Sequence, residues 1–82
     1  MVTAEQVRQY IAAGLPCTHL EVEGDGHHFY AVVVSPEFAD KRLIERHRMI
    51  KEVLGTRIQN NEIHALSIQK AATPEEWEKH QG

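Results

Sequence analysis

The sequence predicts an α+β fold, a single domain over residues 1–82 with helices packed on a three-stranded mixed sheet. Three observations lead there. Thr18–Glu23 and His28–Ser35 are β-like segments joined by the tight turn Gly24-Asp25-Gly26, the pattern of an antiparallel hairpin. Within the run Phe38–Gly55, Leu43, His47, Ile50 and Leu54 recur at helical spacing, so one face of a helix can cover the sheet. Ile63–Gln69 then reads as a third strand, and a helix between the second and third strands favours a parallel, right-handed return.

The elements follow in the order α-β-β-α-β-α. Thr3–Ala13 is the first helix. Thr3 and Gln6 have capping-box spacing, Val2 and Val7 have the spacing of a hydrophobic staple, and Ala4, Val7 and Ile11 form a narrow apolar stripe ended by Gly14 and Pro16. In the hairpin, Asp25-Gly26 suits a two-residue type I′ loop. That register sets Val22 opposite Phe29, Leu20 opposite Ala31 and Glu23 opposite His28. Ala31–Val34 is apolar on both faces and belongs in the middle of the sheet. Pro36 stops the strand, and Pro36–Phe38 suits a short helical turn. Val53 and Ile44 widen the stripe of the central helix, and Gly55 is placed for a left-handed C-cap. Thr56–Glu62 is a polar loop with a turn at Asn60-Asn61. Thr73, Pro74 and Glu76 supply N-cap, first-turn proline and capping-box glutamate for a last helix, which Trp77 packs onto the body.

Composition narrows the function classes. A net charge of −3 with histidine neutral argues against a dedicated nucleic-acid binder. The single cysteine, Cys17, excludes an internal disulfide and fits a reducing compartment. No apolar run is long enough to span a membrane, and the N-terminus lacks a secretory pattern, so a cytoplasmic protein is expected. Catalysis finds little support. Cys17 has no base beside it, Ser35 and Ser67 lie on strands without a nucleophile elbow, and Gly24-Asp25-Gly26 leads into a strand rather than a helix.

Six histidines are many for a chain of this length, and they are its pool of metal ligands. Parallel neighbours start at the same end of a sheet. The opening of the second strand, His27 and His28, should therefore meet the opening of the third, marked by His64. Imidazole suits iron, zinc or copper, but two such ligands leave a site half built, to be completed by a second protein. Cys17 belongs at the far end of the sheet. The plain alternative is that these histidines are surface residues at a turn and a strand end. His47, within the apolar stripe and flanked by Arg46 and Arg48, reads as a packed structural residue, the alternative being an anion site. Lys41, Arg42, Arg46 and Arg48 raise nucleic acid as a partner. Helical geometry spreads them around the cylinder among Glu45 and Glu52, and the loop before them lacks Gly-x-x-Gly.

Five segments in one order carry a resemblance: Val22-Glu23-Gly24-Asp25-Gly26-His27-His28-Phe29, Val32-Val33-Val34-Ser35-Pro36-Glu37-Phe38, Arg46-His47-Arg48-Met49-Ile50, Ile63-His64-Ala65-Leu66-Ser67-Ile68 and Thr73-Pro74-Glu75-Glu76-Trp77. Together they resemble the BolA family over nearly the whole chain, with the short hairpin loop of its IbaG/YrbA-like branch. The resemblance implies a class II KH-like (BolA-like) fold and a non-enzymatic role. It implies a monothiol glutaredoxin of the CGFS type as partner, with a [2Fe–2S] cluster shared between the two proteins and glutathione. No cofactor is then expected in the chain alone, as a monomer or weak homodimer. The family histidine of the Ile-His-Ala-Leu motif corresponds to His64. The second ligand comes from the hairpin loop, where His28 and His27 both remain candidates. The family also implies a second function, transcriptional regulation through DNA contact by the helix carrying Arg46-His47-Arg48.

Overall fold

The computed structural model describes residues 2–55, 57, 58 and 65–81. Helix α1 (Ala4–Gly14) leads into strands β1 (His19–Gly24) and β2 (Phe29–Val34). A 3-10 turn at Pro36–Phe38 precedes helix α2 (Leu43–Gly55), which is followed by β3 (Leu66–Ala72) and α3 (Pro74–Gln81). The sheet order is β1-β2-β3, with β1 antiparallel and β3 parallel to β2, so the mixed sheet and its central strand are as the sequence predicts.

Local chemistry sets the helix starts. Thr3 Oγ1 accepts from Gln6 N–H while Gln6 Oε1 accepts from Thr3 N–H, closing the capping box of α1. Thr73 and Glu76 close a second box at α3 in the same way. The core lies on one face of the sheet. Phe29, Ala31 and Val33 of β2, with Leu66 and Ala71 of β3, pack under Val7 and Ile11 of α1 and Ile50 and Leu54 of α2, and Phe38 enters from the 3-10 turn. Burying this many large side chains is what holds so short a chain folded.

Four expectations are corrected. The hairpin register is displaced by two residues: Gly24 pairs with Phe29, Glu23 with Tyr30, Val22 with Ala31 and Leu20 with Val33. An even shift leaves every side chain on its expected face, which is why the apolar pattern could not detect it. The loop is Gly26-His27, with Gly26 at φ 94° at its first position and Asp25 N–H donating to the His28 carbonyl at 3.3 Å. Positive φ at that first position is the requirement of a II′ turn, which glycine meets without strain.

The described part of the third strand runs from Leu66 to Ala72 rather than ending at Gln69. An irregularity opposite Ala31/Val32, where Ile68 and then Lys70 take successive partners, leaves Gln69 unpaired and returns Ala71 to the core. This bulge breaks the alternation that would have marked the strand's end. The loop Thr56–Glu62, apart from Arg57 and Ile58, and the expected strand residues Ile63 and His64 lie outside the described residues.

In α2 the apolar stripe is not buried from its start. Leu43 and Ile44 are 59% and 62% exposed, and full burial begins at Ile50. The interior beside the first turn is occupied instead by Phe38 and by Arg46, whose guanidinium lies 5.8 Å from the Phe38 ring centre. Gly55 is the last helical residue and forms no left-handed cap. Among the described glycines only Gly26 has positive φ.

Candidate functional site

The hairpin turn is built by one carboxylate. Asp25 Oδ1 accepts from the backbone N–H groups of His27 and His28, at 2.9 and 3.0 Å. These two bonds, His28 first, hold the Asp25 carboxyl below its ordinary pKa. An Asx turn of this kind fixes the backbone from which both imidazoles project, and both histidines are exposed. Sequence reasoning read Asp25 only as a turn former. Its role as the acceptor for both histidine amides had no signal beyond the Asp-Gly-His-His order.

β3 begins beside this turn. Phe29 pairs with Leu66, and Phe29 N–H donates to the Ala65 carbonyl at 3.0 Å. The residue after His28 is thus bonded to the residue after His64. His64 itself lies outside the described residues. Among the described residues no three His, Cys, Asp or Glu side chains converge as a metal-binding group.

Cys17 stands at the other end of the sheet, as expected. It precedes β1, whose first residue pairs with the last of β2. Its thiol donates to the Leu15 carbonyl at 3.2 Å, and burial pushes its pKa up. A thiol with a raised pKa at the opposite end cannot join the hairpin histidines as a thiolate ligand. Among the described residues the hairpin offers the imidazoles of His27 and His28 and the carboxylates of Glu23 and Asp25, but no thiolate. That fits the nitrogen side of an iron–sulfur centre whose thiolates come from elsewhere, and it does not fit a self-sufficient cluster.

A family model for BolA-like protein matches residues 11–76. The chain belongs to the BolA family. It is 48% identical over 81 residues to the protein BOLA2 of Arabidopsis thaliana, covering 94% of this chain and 85% of that one. It is 39% identical over 59 residues to a Haemophilus influenzae protein named DNA-binding transcriptional regulator BolA, covering 72% of this chain and 55% of that one. Among solved structures, a BolA homologue from Coxiella burnetii superposes with a TM-score of 0.80 at 42% identity, covering 95% of this chain and 99% of that one.

In this BolA-family chain the basic residues of α2 are not equivalent. Arg46 is committed to the fold. Its guanidinium donates to the Lys41 carbonyl at 2.9 Å, to the Ala71 carbonyl at 2.9 Å and to Glu76 at 2.7 and 3.3 Å. Its side chain is only 12% exposed. Arg46, and after it the Thr73 N–H, hold the Glu76 carboxyl down at about 2. The expectation that Arg46 is a free phosphate contact is therefore corrected, because four of its five N–H donors are already engaged within the fold. Its partners lie up to thirty residues away in sequence, so no local pattern announced the role. Lys41, Arg42 and Arg48 are exposed. His47 is half-buried on the helix face, and burial, with the Lys51 charge second, lowers its pKa, which suits a packed neutral ring rather than an anion site.

Proposed function

We propose that this protein is a non-enzymatic adaptor that binds a monothiol glutaredoxin of the CGFS type and supplies the nitrogen ligands of a bridging [2Fe–2S] cluster in iron–sulfur trafficking or iron homeostasis. The observation that carries the reading is the Phe29–Ala65 backbone bond, which joins the chain just after His28 to the chain just after His64. His64 and one of His28 or His27 are the proposed ligands. The partner's cysteine and glutathione supply the thiolates. The bound cluster contributes the redox and transfer chemistry, while this chain holds one side of it through neutral imidazole nitrogens. The Asp25 carboxylate orients the turn from which the hairpin ligand reaches out.

The test is visible circular dichroism of a cluster-loaded monothiol glutaredoxin mixed with this protein. New bands should appear, vanish with His64→Ala and with one of His28→Ala or His27→Ala, and survive Cys17→Ser. An unchanged spectrum, or one indifferent to His64→Ala, sinks the reading.

A DNA-binding reading draws on the name of the Haemophilus influenzae relative and on exposed Lys41, Arg42 and Arg48. It is the weaker of the two, since Arg46 is withdrawn from the surface and the chain is acidic overall. Duplex DNA affinity that falls steeply with salt and is lost in the Lys41→Ala/Arg42→Ala/Arg48→Ala variant would raise it above the adaptor.

A further inference from the structure

Helix α1 ends with its carbonyls open. Its last turn holds no basic residue, the Leu15 N–H returns to the Ile11 carbonyl, and Pro16 has no N–H to return. Among the described residues no donor reaches the carbonyls of Ala12, Ala13 or Gly14. Gly14 forms one wall of a groove of about 350 Å³ between α1 and α2, with Leu15, Met49 and Val53 as its apolar lining. The two helices meet closely there, since a Cβ on Gly14 would come within 2.5 Å of Val53 Cγ1. Glu37 and Glu52 line the same groove, and no basic residue does.

We propose that this groove docks a short basic–apolar segment of a protein partner, whose lysine or arginine caps the open end of α1 between Glu37 and Glu52. Three sources of negative charge meet at one place: two carboxylates and the carbonyl end of an 11-residue helix. Both glutamates are exposed, and among the described residues neither has an ion-pair partner. Arg48 stands four residues before Glu52 on α2, but that order of charges is the weaker one for a helical pair. Arg57 lies against the Tyr10 ring, one turn before the helix end, and does not line the groove. An ammonium or guanidinium from outside supplies the charge that the fold leaves out.

The apolar lining selects a side chain over a bare ion. A lysine or arginine lays its methylene stem on Leu15, Met49 and Val53 while its head reaches the carbonyls. A hydrated divalent cation has no use for that surface, and it wants more oxygen ligands than two carboxylates give. A groove of this volume takes one or two side chains rather than a folded body. It lies at the Cys17 end of the sheet, where Ser35 Oγ donates to the Pro16 carbonyl just past β2. The histidine turn is at the opposite end, so the groove can be filled whether or not that turn holds a cluster.

The test is a titration of the full chain with a synthetic peptide alternating Lys and Leu, followed by amide chemical shifts. The same peptide with every lysine acetylated keeps the stems and removes the charge, and a Lys/Ser peptide keeps the charge and removes the apolar residues. The Lys/Leu peptide should move the amides of Gly14, Leu15, Glu37 and Val53 and leave those of His27 and His28 in place. Acetylation should abolish the shifts, and added salt should weaken them. Glu37→Gln with Glu52→Gln should weaken binding about fivefold or more, without loss of fold because both side chains are exposed. Glu37→Lys with Glu52→Lys should remove it altogether. Binding that ignores both pairs of substitutions overturns the proposal, as does equal binding of the acetylated or the Lys/Ser peptide. Spermine moving the same amides as strongly as the peptide also overturns it, because the occupant is then a small polyamine. So do concentration-dependent shifts of those amides without peptide, which assign the groove to a second copy of the chain.

Discussion

Among the described residues, no charged side chain makes more hydrogen bonds than Arg46. One guanidinium satisfies the outward carbonyl of Ala71, the carbonyl of Lys41 and the carboxylate of Glu76, so it ties the start of α2 to the end of β3 and to α3. Truncating it removes the donor from two carbonyls and leaves the Glu76 carboxylate with only the Thr73 N–H. Arg46→Ala should cost about 2 kcal/mol, on the scale of charge-assisted hydrogen bonds, measured by urea unfolding. The same contact sets an acid limb. Glu76 has a folded pKa of about 2, below its ordinary 4.5. The stability it contributes is complete above about 4.5 and is lost as pH falls toward 2. Glu76→Gln should flatten stability over that window, and an unaltered acid limb would mean the pair is screened by water at its exposed side. Cys17 gives a second residue-scale test. Its raised pKa and its bond to Leu15 predict alkylation by iodoacetamide slower than that of a free thiol, accelerating on unfolding.

At the scale of elements, the hairpin turn and α3 carry the information. The turn depends on Gly26 at φ 94° and on a tight approach at Gly24, where an added Cβ would come within 2.3 Å of the His28 carbonyl oxygen. Gly26→Ala should cost about 1–2 kcal/mol through backbone strain alone and loosen the histidine turn with it. Helix α3 is held by Arg46 at one point and by Trp77 stacked on His19 at another, with ring centres 4.8 Å apart. His19 in turn is paired with Glu21 on the same strand. Trp77 is the only tryptophan, so its emission reports α3 alone. Arg46→Ala should shift that emission to the red before global unfolding. An emission that changes only with the global transition would show that the His19 stack suffices to hold the helix.

For the whole molecule, the sheet separates its chemistry by ends. The parallel β2–β3 pair puts His27 and His28 beside the entry to β3, while Cys17, Ser35 and Pro16 gather at the other end, where Ser35 Oγ donates to the Pro16 carbonyl. The exposed histidines make no contribution to the core. His27→Ala and His28→Ala should therefore leave Tm unchanged within about 1 °C while one of them removes the cluster signal. A large loss of Tm in either variant would identify that imidazole as structural.

The sequence by itself determined what depends on near neighbours. Both capping boxes, the central place of Ala31–Val34, the parallel return and the distance of Cys17 from the histidines follow from spacing and alternation, because those signals act over a few residues. The family was legible too, from five short segments in order. Tertiary structure alone decided the rest. A two-residue register shift preserves every face and so leaves no trace in hydrophobic pattern. The bulge at Gln69 hid the true end of β3. Arg46 read as a surface cation because its acceptors lie on distant elements, and Leu43 and Ile44 read as core because helical period says which side a residue faces, not whether anything stands there to cover it.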